Sequence, residues 1–232
     1  MRDSPTSNSP QESPLASLGL NVVVPVIVLT MLSGDDQLGP VTGLVVALGF
    51  PIGYGFYDLA RRRRFNFVSA IGIIGVLLTG GIGLFKLDVQ WVAVKEAGVP
   101  LVIGLAILFS LKTPFHLVQK LLGQIVDMKQ IEDALRESGH EDDFQRRLKI
   151  ATYIIASSFF LSAVLNYILA KIIVVSPAGT TEFNQEIGRM TAISFPVIAL
   201  PSMLLLAVTV YYLLSCISEF TGVDIKRLMR KT

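Results

Sequence analysis

Charge is scarce in this sequence. Of its 232 residues only 16% are Asp, Glu, Lys or Arg, and 52% are hydrophobic; an ordinary soluble domain carries about 25% charged residues. A soluble fold could hardly hide this much apolar surface, whereas a bilayer solvates outward-facing apolar side chains directly. Cysteine is nearly absent. Cys216 stands alone, which excludes an intramolecular disulfide and reads as a small packing residue near the end of an apolar run. The two histidines, His116 and His140, fall in one polar stretch. No H-E-x-x-H, G-x-S-x-G or P-loop pattern occurs, and no Ser or Cys is placed with a base. These absences point away from an enzyme, with no cofactor and no metal expected. A net charge of +2 supplies no bulk field for nucleic acid.

Long apolar runs are what the chain does have. Six stretches approach the ~20 residues that cross a ~30 Å hydrocarbon core: Leu15–Ser33, Pro40–Leu59, Phe65–Phe85, Trp91–Leu111, Ile150–Val175 and Met190–Ile217. The expected fold is all-α, a polytopic membrane helix bundle of about six transmembrane helices. Residues 1–14, rich in Ser and Pro, read as a disordered tail rather than a signal peptide, and 218–232 as a basic tail.

The connections alternate in charge. Sixteen of the 20 bases lie on one side: Arg2, the run Arg61, Arg62, Arg63, Arg64, the seven between Lys112 and Lys149, and the four at the carboxyl end. Lys86, Lys95, Lys171 and Arg189 lie on the other. Positive loops resist translocation, so the basic side is expected in the cytoplasm, together with both termini. The tetra-arginine run then reads as a topology anchor that touches anionic head groups.

Within the stretch 112–149, Val118, Leu121, Leu122, Ile125, Met128, Ile131 and Leu135 recur at helical spacing. This predicts one cytoplasmic amphipathic helix, from Pro114 to about Ser138, on the membrane surface or against the bundle. The acidic cluster Glu141, Asp142, Asp143 beyond it reads as a solvated turn. Glycine is concentrated in the second and third spans, and Gly39, Gly43, Gly49 and Gly53 have the four-residue spacing that brings helices close. Pro25, Pro51, Pro100, Pro196 and Pro201 fall in or near spans and can kink them. Two in-out-in hairpins, each entered through a basic run and left through a proline-containing span, suggest a duplicated unit.

Polar groups at membrane depth are expensive and face the bundle interior or water. Asn21, Asn166, Lys95, Glu96, Lys171, Glu186, Arg189 and Asp58 are the candidates, with Tyr54 one turn before Asp58. Singly, the cations can snorkel to head groups and Asn166 can join two helices. Collectively, Lys95, Lys171 and Arg189 with Glu96 and Glu186 are expected to form an outer cationic mouth for an anionic lipid or solute.

Four short motifs resemble the bacterial intracellular septation protein A family of small polytopic inner-membrane proteins. They are Trp91-Val92-Ala93-Val94-Lys95 opening the fourth span, Thr113-Pro114-Phe115 followed by Leu121-Leu122-Gly123, Phe159-Phe160 with Asn166-Tyr167, and Arg189 where the family has a lysine. The resemblance covers about residues 40 to 216. The tryptophan the family carries before its last span is absent, and Phe183 is the nearest aromatic. The resemblance implies a bacterial cytoplasmic-membrane protein with a non-enzymatic role in cell-envelope upkeep. The expected partners are membrane lipids, envelope or division membrane proteins, and a second copy of the chain. The alternative expectation is a small transporter or lipid-handling protein working through Asn166 and the outer cations.

Overall fold

The computed structural model describes residues 22–62, 67–113 and 117–222, with side chains for 22–57, 74–113 and 117–222. Arg63, Arg64, His116, Asn21, the amino-terminal tail and residues 223–232 lie outside the described residues. Every regular element among those described is helical: α1 (Val24–Met31), α2 (Gly39–Arg62), α3 (Phe67–Leu84), α4 (Gln90–Ser110), α5 (Leu117–Leu122), α6 (Met128–Ser138), α7 (Glu141–Ile173), α8 (Thr181–Ser194), a π-helical turn (Phe195–Ala199) and α9 (Leu200–Thr221). Among the described residues, four helical stretches are long and apolar enough to cross a membrane: Gly39–Tyr57, Gln90–Ser110, Glu141–Ile173 and Thr181–Thr221. A helix closes its backbone hydrogen bonds within itself, so hydrocarbon can surround it. Leu204, Ile172 and Met203 accordingly stand exposed on these helices.

The chain divides into two compact units, 1–91 with 173–192, and 92–172 with 193–232. In the first, α2 pairs with both α1 and α3. Leu44, Ala47, Ile82, Val28, Leu29, Phe183 and Ile187 are among its buried residues. The turn from α1 into α2 closes on Gly34, whose carbonyl accepts from Gln37 N–H at 3.0 Å and Gly39 N–H at 2.9 Å. Gly39 completes it at φ +73°, a left-handed conformation that side chains resist. Close approach rests on glycine at further points, among them Gly43, Gly83 and Gly188. A Cβ on Gly43 would strike Ser33, one on Gly83 would strike Leu44 and meet Phe183, and one on Gly188 would strike Thr30 and Leu29. Nothing lies within 4 Å of such a position at Gly49 or Gly53, so the second half of the expected four-residue pattern takes no part in this packing.

The second unit has two hydrophobic clusters. Leu122, Val126, Ile131, Leu135 and Phe144 gather around the end of α9 at Leu214 and Ile217. Ile107, Val118, Leu148, Ala151, Ile155 and Leu213 form the other. The stretch expected as one helix from Pro114 to Ser138 is two helices, α5 and α6, separated at 123–127. Fully buried Val126 occupies the break. Asp127 restarts the helix, its carboxylate accepting from the N–H groups of Lys129 at 3.1 Å and Gln130 at 3.4 Å. Gly139 ends α6 at φ +74°. Glu141, Asp142 and Asp143 form the first turn of α7 rather than a solvated turn, where the helix dipole favours negative charge.

The prolines divide by position. Pro51 and Pro100 sit inside continuous helices, Pro25 lies at the start of α1, and Pro201 lies just after the π turn, inside the continuous 181–221 helix. Pro196 lies in the π turn, whose wider loop absorbs the proline without ending the helix.

Candidate functional site

In the first unit the polar side chains gather where three connections meet. Thr181 donates from its hydroxyl to the Ser33 carbonyl at 3.1 Å. Asn184 donates from its side-chain amide to the Pro40 carbonyl at 2.6 Å. Both bonds tie the start of α8 to the α1–α2 turn. Gly179, at φ +87°, lies against the α3 end: a Cβ there would come within 3.2 Å of the Gly83 carbonyl oxygen and 3.1 Å of Lys86. The Glu186 carboxylate accepts from the N–H groups of Val175 at 2.9 Å and Ser176 at 2.8 Å, and from the Ser176 hydroxyl at 2.7 Å. It therefore caps the end of the 173–180 connection, and its lone pairs serve the fold. Asn184 is fully buried, and its Oδ1 has no partner among the described residues. Arg189, further along α8, is exposed.

In the second unit Lys95 and Glu96 form an ion pair on the second turn of α4, with side chains 12% and 27% exposed. Asn166 donates from its amide to the Ser162 carbonyl at 2.8 Å. The Ser162 hydroxyl lies 2.9 Å from the Ser158 carbonyl and 2.9 Å from the Ser202 hydroxyl. With one proton to give, it donates to the carbonyl and accepts from Ser202, which joins α7 to α9. Lys171 is exposed in the last turn of α7, where a cation suits the carbonyl end of the dipole. Thr152 and Thr209 bond back to carbonyls four residues earlier, at 2.7 and 2.8 Å.

At the far end of α7, Arg147 donates to the Tyr212 hydroxyl at 3.0 Å, and its guanidinium carbon stands 6.0 Å from the centre of the same ring. His140 stacks on Phe220, with ring centres 5.1 Å apart and planes 3° from parallel. A cavity of about 330 Å³ opens beside them, lined by Gln119, Glu132, Arg136, Glu141, Asp142 and Gln145 over a floor of Leu135 and Phe144. Two pairs engage within its lining: Arg136 meets Glu141 at 3.3 Å and Gln119 donates to Glu132 at 3.1 Å.

Of the residues singled out by sequence, Lys95, Glu96, Asn166 and Lys171 belong to the second unit and Glu186 and Arg189 to the first. Arg61 and Arg62 end α2. Asn184, Thr181, Arg147 and Ser202 escaped the sequence reading. Asn184 sits in a polar window, Thr180 to Glu186, that reads as loop. Helical register would have found it: Asn184 follows buried Phe183 and precedes buried Ile187. Comparison with known proteins gives no match, whether among protein-family models, curated proteins or solved structures.

Proposed function

We propose that this chain is a six-span protein of the bacterial cytoplasmic membrane, with both termini inside. In this reading it serves as a non-enzymatic envelope scaffold whose partners are membrane proteins of envelope synthesis or division, lipids, and a second copy of itself. What supports the six spans is that the connections 33–39, 84–90 and 173–181, expected on the outer side from their low positive charge, are interlocked at one end of the first unit through Thr181, Asn184 and Gly179. An even number of crossings joins any two of them. The segment 117–138 then lies inside, with Leu122, Val126, Ile131 and Leu135 packed around the end of α9 and Leu117, Leu121 and Ile125 exposed, as an amphipathic element split at Gly123–Asp127.

The scaffold role is carried by one observation. The deep hydroxyls and the Asn166 amide are engaged with carbonyls or with one another, as in helices that use polar groups for internal cohesion. The septation-like motifs point the same way. Single cysteines at Asp35, Asp88 and Pro177 in a Cys216→Ser background should react with an impermeant maleimide in intact cells, and one at Gln130 only after lysis. In-membrane crosslinking followed by mass spectrometry should then recover stable membrane partners. Labelling of Gln130 in intact cells would overturn the topology, and a chain that crosslinks to nothing would overturn the scaffold.

The second reading, a small transporter or lipid-handling protein, draws on the largely buried Lys95–Glu96 pair and on the π turn. Broken helices and sequestered charges recur where solutes cross.

A further inference from the structure

Tyr212 has two roles at once. Its ring packs on the cluster of Ile107, Val118, Leu148, Ala151, Ile155 and Leu213, so it is held by the core. Its hydroxyl holds Arg147 at 3.0 Å. Arg147 is itself exposed. One of its five donors is engaged by tyrosine, and the planar fork is oriented on a fixed support rather than left on a free stem. Arg146 and Lys149 are exposed within one turn.

The surface next to these cations changes character abruptly. Ile150, Tyr153 and Ile154 are exposed on α7, and Tyr211 on α9. Ile154 stands two turns beyond Arg147, about 10 Å along the axis. From there the helix carries no charged residue as far as Lys171. A fixed guanidinium, two flexible cations, exposed tyrosines and then bare aliphatic surface follow one another in the order of a phospholipid: phosphate, glycerol, acyl chain. Tyrosine belongs at the interfacial level of that sequence.

We propose that Arg147, positioned by Tyr212, binds the phosphate of an anionic glycerophospholipid in the leaflet facing the basic side, with Arg146 and Lys149 completing the charge and Ile150 and Ile154 supporting an acyl chain. The site rests on the reading that α7 crosses the bilayer.

The test uses the full chain reconstituted in nanodiscs of phosphatidylcholine alone or mixed with phosphatidylglycerol. Lipid retention is read by native mass spectrometry and the unfolding midpoint in each lipid. The wild type should keep phosphatidylglycerol through detergent exchange and unfold at a higher temperature when it is present. Arg147→Gln should retain it about tenfold less well, the scale of one charge-assisted contact. Tyr212→Phe, which keeps the ring and frees the guanidinium, should fall between the two. Arg147→Lys guards against a variant that fails to fold, and should recover part of the retention. Excess inorganic phosphate should displace nothing, because it lacks the acyl chain. Equal retention by wild type and both Arg147 variants, an equal midpoint in the two lipids, or displacement by inorganic phosphate overturns the proposal. A chain that does not enter phosphatidylcholine discs at all overturns the membrane reading instead.

Discussion

Asn184 and Pro40 are 144 positions apart in sequence and 2.6 Å apart in space, joined by an amide N–H donated to a backbone carbonyl. The bond lies in a region where Asn184 and its neighbour Phe183 are both 0% exposed. Removing a buried donor strands its acceptor, which costs about 1–3 kcal/mol. Asn184→Ala should lower stability by that amount in detergent unfolding. Thr181→Val, which removes a partly buried bond, should cost about 1 kcal/mol. An unchanged unfolding curve for both would mean the end of α8 is not fastened to the α1–α2 turn.

The glycines of α2 divide sharply. A Cβ on Gly43 would press on Ser33, including its backbone, whereas Gly49 and Gly53 have open space. Gly43→Ala should destabilise by about 1–3 kcal/mol through overpacking. Gly49→Ala and Gly53→Ala should be neutral or stabilise by up to about 1 kcal/mol, the gain in helix propensity. If a second copy docks on α2, Gly49→Leu should weaken the dimer measured by crosslinking without lowering monomer stability.

The α6 boundaries offer a further check. Gly139→Ala forces a side chain into left-handed backbone at φ +74° and should cost about 1–2 kcal/mol. Asp127→Ala removes the cap of α6 and should cost about 1 kcal/mol. Hydrogen exchange at 128–138 should rise in both variants and stay unchanged in 22–57.

Charge reversal separates the two functional readings. A scaffold should tolerate the pair Lys171→Glu and Arg189→Glu, both at exposed positions, once the protein is inserted, because partner capture runs through other surfaces. A cationic mouth should lose its activity in that double variant with insertion intact. Complementation of a deletion strain, with membrane abundance measured in parallel, decides between them.

The helical class was legible because apolar runs and charge alternation are properties of composition and need no tertiary contact. Four of the runs return as helices long enough to span. The amphipathic spacing of 117–138 located the right stretch and overlooked its break, because the periodicity of Leu122, Ile125 and Met128 continues through a turn in which Val126 points inward. The acid cluster was misread as loop for a related reason: Glu141, Asp142 and Asp143 suit a helix start as well as a solvated turn, and only the helix after it decides. Asn184, Thr181 and Tyr212 were illegible singly. Their meaning lies in partners at Pro40, Ser33 and Arg147, and no local pattern encodes a partner more than sixty residues away.

At 33 residues, α7 is about 50 Å long, against a hydrocarbon core of about 30 Å. The surplus lies at its amino-terminal end, where Phe144 and Leu148 anchor it to the clusters beneath. A helix without a joint answers a thinner bilayer by tilting rather than by shortening. Tilt about the membrane plane swings the overhang sideways through an arc, so bilayer thickness becomes a lateral displacement of Arg147 and of whatever rests on α5 and α6.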